Sequence, residues 1–245
     1  MQGKVVVITG GSGGIGSEIA RQFANAGGTV IITYRNAKEA AERLLAQLPA
    51  SGHWSRQLDV DDTAALNALA SDVSGRQGRC DVLVNCAGIT RFVAHGDLEA
   101  LDDELIDRIF RVNWRGAFAA VRAFRPLLEQ TGDALVVNIS SIAGVTAMGS
   151  NIAYCASKAA LDSMTKSLAR ALAPAIRGVS VSPGLVDTEF VRGLDQSWRD
   201  EQARRTPLGR LATPQEVGAA VLAVARTLKY SNGCIIAVDG GRPLT

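Results

Sequence analysis

Tyr154 and Lys158 stand four residues apart in the stretch Tyr154-Cys155-Ala156-Ser157-Lys158. On a helix that spacing puts both side chains on one face, a turn apart. A phenol is a poor acid and a poor base at neutral pH, because its reference pKa is about 10. A nearby ammonium favours the phenolate and lowers that value. The pair is therefore a candidate proton donor that carries its own tuning charge. Alone the spacing is a weak signal, since most such pairs are solvated pairs on a helix surface. Its weight comes from the elements that would position it.

Residues 4–9 are a β-branched run, apolar on both faces, which predicts a buried parallel strand. The run passes straight into Gly10-Gly11-Ser12-Gly13-Gly14-Ile15-Gly16. A helical pattern follows, with Ile15, Ile19, Phe23 and Ala24 on one face, and stops at Gly27-Gly28. Strand, glycine turn and helix make the first half of a dinucleotide-binding βαβ unit. Glycines permit the tight turn, and the helix N-terminus receives a pyrophosphate. Further strand patterns lie at 29–33, 53–58, 81–84, 134–139, 179–181 and 233–238. Helical patterns at 37–48, 63–73, 102–128 and 154–173, and one opening at Pro214, alternate with them. The expectation is one α/β domain over residues 1–245, a Rossmann-type doubly wound parallel sheet of about seven strands flanked by helices. Residues 90–101 predict a loop and short helix over the mouth of the site. The polar, poorly periodic stretch within 188–210 predicts a mobile substrate lid.

Composition narrows the function classes. With 245 residues, 47% of them hydrophobic, the chain can bury a large single core. Lys and Arg total 26 against 24 acidic residues, a net +2 without a basic run, which argues against nucleic acid as a partner. The four cysteines, Cys80, Cys86, Cys155 and Cys234, show no C-x-x-C spacing. They predict neither zinc nor disulfides, but reduced core thiols in a cytoplasmic protein. His95 has no second metal-type ligand beside it and is expected to face solvent, so no metal site is expected. No apolar stretch approaches the ~20 residues of a membrane span. A strand beginning so close to Met1 predicts no signal peptide.

The glycines follow T-G-x-x-x-G-x-G, with Gly10, Gly14 and Gly16 in register. This spacing resembles the short-chain dehydrogenase/reductase family, and further blocks in family order extend the resemblance over essentially the whole chain. Asn85-Cys86-Ala87-Gly88 resembles the family's N-N-A-G block, with Cys86 in place of the second Asn. Asn113, within Val112-Asn113-Trp114-Arg115-Gly116, resembles the active-site asparagine that distorts its helix and whose carbonyl holds a water linked to the lysine. Ser141 lies thirteen residues ahead of Tyr154, as the family serine does; Ser140, its neighbour, should point to the other side if the strand continues that far. Pro183-Gly184-Leu185-Val186-Asp187-Thr188 resembles the family's P-G-x-x-x-T stretch.

The resemblance implies a catalytic set of Asn113, Ser141, Tyr154 and Lys158. It implies cofactor contacts from Gly10, Ser12, Gly14, Ile15 and Gly16, from Asp59 and Val60 at the adenine, and from Asn85, Ala87 and Gly88. Tyr154 and Lys158 would also touch the cofactor. Val186 and Thr188 would flank the nicotinamide carboxamide, beside Pro183 and Gly184. Asp59 could equally cap the helix after it. At the end of the second strand, where an acidic residue would select NAD, stand Tyr34 and Arg35. Arg35 could pair with a 2′-phosphate, so NADP(H) is preferred and NAD(H) remains possible, although a solvated loop arginine is the plain alternative.

The implied activity is reversible hydride transfer between a nicotinamide and a carbonyl/alcohol pair, with Tyr154 as general acid/base. The nearest patterns are the 3-oxoacyl-thioester reductases, whose partner would be an acyl carrier protein. Such an acidic partner needs a basic face. Arg122, Arg125, Arg170 and Arg177 could form one, but Glu129 and Asp133 lie among them. A small ketone, keto-ester or acyl thioester is the broader expectation, and a homotetramer is implied by the resemblance. The alternative is a dinucleotide-binding sensor or scaffold without turnover.

Overall fold

Alternating side chains divide the core into two apolar layers on either side of one sheet. The computed structural model describes residues 1–244. Its strands are β1 (Val5–Thr9), β2 (Thr29–Tyr34), β3 (Trp54–Gln57), β4 (Val82–Asn85), β5 (Ala134–Ile139), β6 (Ile176–Pro183) and β7 (Ile235–Val238). They form a seven-stranded sheet in the order β3-β2-β1-β4-β5-β6-β7, parallel throughout. The order reverses between β1 and β4, which opens a crevice at their C-terminal ends.

Parity sets which helices cover each face. Val6, Ile8, Val30, Ile32, Val137 and Val181 point toward one layer. It is closed by α1 (Gly14–Asn25), α2 (Lys38–Gln47) and α10 (Pro214–Arg226). Val5, Val7, Ile31, Leu83 and Val136 point the other way, against α3 (Thr63–Gln77) and α5 (Ala117–Glu129). The two layers bury Phe23 and Phe124 completely. Both faces of β1 are therefore apolar, which is why its sequence is a continuous β-branched run.

The helical stretch expected at 102–128 is not one α-helix. α4 (Asp103–Phe110) runs into a π-helical turn, Arg111–Gly116, before α5 resumes. A π-turn inserts an extra residue and turns a side chain inward, and here Asn113 is the side chain buried. α6 (Ala143–Thr146) follows β5, and α7 (Ile152–Ala171) carries Tyr154 and Lys158. Two expectations need correcting. Residues 90–101 contain no helix; the Val93 N–H donates to the Ser150 carbonyl and the Arg91 carbonyl accepts from the Asn151 amide, so this backbone is tied to the loop ahead of α7. The stretch expected to be an irregular lid contains α8 (Glu189–Arg192) and α9 (Gln196–Arg204). Each is capped at its N-terminus, by the Thr188 and Asp195 side chains respectively, which offsets their weak apolar pattern.

Candidate active site

The glycine loop opens the crevice and is tied down on both sides. Gly10 adopts φ +67°, and a Cβ there would lie 2.9 Å from the Ala87 Cα. Only glycine lets the two chain turns approach this closely. The Gly10 N–H donates to the Thr33 hydroxyl at 3.2 Å, and the Gly11 N–H donates to the Thr33 carbonyl at 2.9 Å. The Thr9 hydroxyl accepts from the N–H groups of both Cys86 and Ala87, at 3.2 Å each. Thr9 was legible as the first letter of the glycine motif, and its anchoring role appears only once β1 and β4 lie side by side.

Gly10, Ser12, Gly14, Ile15, Gly16, Tyr34, Arg35, Asp59, Val60, Ala87, Gly88, Tyr154, Lys158 and Thr188 all line one cleft of about 640 Å³. Its glycine wall runs into the N-terminus of α1, where free N–H groups favour an anion. A Cβ at Gly14 would meet the Thr188 Cγ2 at 3.0 Å, so the glycine loop and the start of α8 close the same wall. Size, glycine cradle and helix terminus all fit an extended dinucleotide. The Arg35 guanidinium lies 4.0 Å from the Asp59 carboxylate, and both are partly exposed. Asp59 does not cap α3; Asp62 does, accepting from the Ala65 N–H.

Tyr154 and Lys158 share the inner face of α7. Asn151 caps this helix by accepting from the Tyr154 N–H at 2.7 Å, while its amide donates to the Arg91 carbonyl at 2.7 Å. The Lys158 ammonium donates to the Ile139 carbonyl at 2.8 Å and lies 5.7 Å from the centre of the Tyr154 ring. Burial lowers the Lys158 pKa to about 8, opposed by Cys86 and Asp162. Contrary to the lowering expected from the ammonium, the Tyr154 phenol is raised above its ordinary value by burial, an effect that the Ser141 hydroxyl partly offsets. Ser141 thus neighbours the phenol. Ser140 donates to the Lys158 carbonyl at 3.4 Å and, contrary to expectation, is the one of the two serines that lines the cleft, because β5 ends at Ile139 and its alternation does not run on through the pair.

Asn113 is not the exposed mid-helix residue that its polarity alone would suggest. Its Oδ1 accepts from the Ile89 N–H at 2.8 Å, and its Nδ2 donates to the Ile89 carbonyl and the Ser157 hydroxyl. It clamps the turn that carries Gly88 into the cleft.

Four expected cofactor residues stand apart from the lining. Asn85 faces the interior, where its amide donates to the Ala117 carbonyl and to the Asn138 Oδ1 at 2.8 Å. Strand alternation sends it beneath the sheet, so its side chain supports the cleft without reaching it. Val186 is buried and bridges to Ala212. Gly184 packs against Asp239, and Pro183 pairs with Val238. Asn151 and Glu189, which the sequence reading passed over, belong to the cap and to the cleft wall respectively. Asparagine three residues ahead of Tyr154 was a readable cap signal. His95 is exposed, as expected, with its ring 3.2 Å from the Gly149 carbonyl. Among the described residues no cluster of His, Cys, Asp and Glu could hold a metal ion.

The expected basic face is largely occupied. Arg125 pairs with Glu129, and Arg177 donates to the carbonyls of Leu228 and Ser231. Asp133 pairs with Lys229.

A family model described as enoyl-(acyl carrier protein) reductase matches residues 10–242. A solved short-chain dehydrogenase/reductase of Brucella melitensis, described as glucose/ribitol dehydrogenase, superposes with a TM-score of 0.92 at 28% identity. That match covers 99% of this chain and 97% of the other. The chain belongs to the short-chain dehydrogenase/reductase family. Among curated members, the 3-oxoacyl-[acyl-carrier-protein] reductase of Aquifex aeolicus is 34% identical over 98% of both chains. The meso-2,3-butanediol dehydrogenase of Serratia marcescens is 36% identical over 97% of this chain and 94% of its own length. As a short-chain dehydrogenase/reductase, this protein is an NAD(P)(H)-dependent oxidoreductase acting on a carbonyl/alcohol pair.

Proposed function

We propose that the protein is an NADP(H)-preferring reductase of small ketones, keto-esters or acyl thioesters, with Tyr154 as general acid. The observation that carries this reading is the meeting of Tyr154, Ser141 and Lys158 at the C-terminal end of β5, beside the dinucleotide-shaped cleft. A bound nicotinamide would supply the hydride. Tyr154 would give its proton to the carbonyl oxygen, and Ser141 would hold that oxygen as negative charge develops. Lys158, fixed by the Ile139 carbonyl, would keep positive charge next to the phenol and the cofactor ribose. Asn113 would hold the Gly88 turn in register through Ile89. The lid would extend over residues 188–210.

The NADP(H) preference rests on Arg35. It lines the cleft directly after β2, at the sequence position where an acidic residue would receive a ribose 2′-hydroxyl, with the Asp59 carboxylate 4.0 Å away just past the end of β3. Its ion pair with Asp59 is long and solvated, so the guanidinium can turn to a 2′-phosphate at little cost. For the substrate, the segments flanking Tyr154 carry exposed Phe92 and Met148 on loops and exposed Val145 on α6, which favours an apolar ketone or acyl group. With Arg125 and Arg177 already engaged, a carrier protein would have to dock on Arg122 and Arg170. Self-association as a tetramer is supported by β7, an edge strand whose apolar residues are only half-buried. No helix among the described residues is long and apolar enough to cross a membrane, which fits a cytoplasmic enzyme.

The deciding experiment follows oxidation of NADPH and of NADH against a panel of ketones, keto-esters and acetoacetyl thioesters. Faster turnover with NADPH is expected, and Arg35→Asp should reverse the order of the two cofactors. Tyr154→Phe should remove most turnover while cofactor binding persists. Tight cofactor binding without turnover of any carbonyl would instead favour a sensor.

A further inference from the structure

The space between α7 and the sheet is polar, unlike the two apolar layers. Asn138 and Ser140 leave β5 on this side, and Ser180 and Ser182 leave β6. The Asn138 amide donates to the Thr165 hydroxyl at 2.8 Å, and Thr165 and Ser180 share a hydrogen bond of 2.8 Å. Asp162 sits within this layer on α7, one helical turn after Lys158 and one before Thr165. It is 4% exposed. Neither of its carboxylate oxygens has a hydrogen-bond partner.

A buried carboxylate without hydrogen bonds is costly unless an opposite charge lies close by. The buried cation on the same helix face is Lys158, itself 6% exposed and four residues away, though the two do not meet as a direct ion pair, because the ammonium donates to the Ile139 carbonyl. We propose that Asp162 is the buried counter-charge that keeps Lys158 an ammonium, and is thereby a positioning residue for proton transfer. The catalytic half of this inference rests on the reductase reading above; the electrostatic half does not.

Other charged groups around α7 do not take this part. β5 and α6 carry no titratable side chain. On β6, Arg177 donates to the carbonyls of Leu228, Ser231 and Val224. α4 exposes Asp103, Glu104, Asp107 and Arg108 to solvent, and Arg111 and Arg115 of the π-turn pair with Asp61. On α7 itself, Lys166 and Arg170 are exposed, while Tyr154 and Cys155 are neutral acids whose pKa values burial raises. The Cys86 thiol, across the cleft wall, is pushed up to about 12 by burial. It is therefore uncharged where Lys158 titrates, which leaves Asp162 as the anion opposing the fall of Lys158 to about 8.

The test is a thermal-unfolding cycle on the cofactor-free protein, with wild type, Lys158→Met, Asp162→Asn and the double variant. Lys158→Met strands the carboxylate, so neutralising Asp162 should raise the melting temperature of that variant. Asp162→Ser serves as a second neutral replacement should Asn fold poorly. A double variant that melts no higher than Lys158→Met, with either replacement, overturns the pairing. For the catalytic half, Asp162→Asn should move the alkaline limb of kcat/KM for carbonyl reduction down by about one pH unit, the lower end of the effect of a close opposite charge. Lower turnover with an unmoved limb would make Asp162 structural only and overturn its positioning role. If no carbonyl is reduced by the wild type, the reductase reading fails while the melting cycle still decides the pairing.

Discussion

Lys158 and Tyr154 face one another across 5.7 Å, with the ammonium hydrogen-bonded to the Ile139 carbonyl and not to the phenol. Strand β5 and helix α7 therefore fix the charge jointly, while the phenol stays above its ordinary pKa, raised by burial and only partly offset by Ser141. A charge held this way keeps its place while the phenol exchanges a proton.

The first consequence is a pH limit on turnover. Burial brings the Lys158 pKa to about 8, so kcat/KM for carbonyl reduction should fall as pH rises through that value. In Lys158→Met the residual activity should be low and should lack this limb. A wild-type profile that stays flat to higher pH would show that Lys158 keeps its charge there or does not assist the reaction.

Asn113→Ala removes three hydrogen bonds, two to the Ile89 backbone and one to Ser157. Leaving such buried groups unpaired costs about 1–3 kcal/mol. Denaturant unfolding should show a loss of that size, and kcat should drop because the Gly88 turn and Ser157 lose their shared anchor. A variant with native kcat would remove Asn113 from the catalytic set.

Gly10→Ala should damage cofactor binding more than folding. The added methyl meets Ala87 at 2.9 Å, on a backbone at φ +67° that alanine adopts poorly. Spreading the loop by a few tenths of an ångström spoils the N–H cradle, and an affinity loss of about tenfold corresponds to ~1.4 kcal/mol. Titration of NADPH fluorescence would measure it. Unchanged affinity would mean that the cleft tolerates a wider loop.

Buried Cys80 and half-buried Cys86 predict a decline in stability at high pH. Cys86 is raised from 9.0 to about 12, and Cys80 is raised as well, both chiefly by burial. The unfolded chain loses these protons first, so their contribution is complete below pH 9.0 and is lost as pH rises toward the folded values. Lys158 acts in the opposite sense, because its folded pKa is lowered, but Tyr154 and Cys155 are raised as well and act with the two thiols. Unfolding free energy should therefore fall above pH 9.0, and less steeply in Cys80→Ala/Cys86→Ala.

Much of this arrangement was legible in the chain. Each strand pattern became a strand, since runs such as Val5 to Ile8 must be covered on both faces. The Tyr154–Lys158 spacing and the glycine register depend on local geometry, so both residues of the pair and Gly10, Gly14 and Gly16 line the cleft, whereas of the two serines it is Ser140 that does so. What was not legible depends on tertiary parity. Asn85 lies next to cleft residues in sequence, yet its side chain leaves β4 on the opposite side. The polar layer under α7 was also hidden, because Asn138, Ser180 and Asp162 are far apart in sequence and each alone suggests surface. Helices α8 and α9 were missed because each is started by a capping side chain, Thr188 and Asp195, and α9 buries no residue that would have shown an apolar face.

The double engagement of Asn151 has a consequence for redesign. One side chain both starts the helix that presents Tyr154 and holds the backbone of Arg91. The loop over the mouth and the acid are therefore indexed to a common point. Transplanting a relative's loop by its first residues would shift that index and move the acid along with the specificity. Grafts that keep Thr90 and Arg91 and vary only the chain beyond Val93 should change which carbonyl is accepted while leaving the proton donor in place.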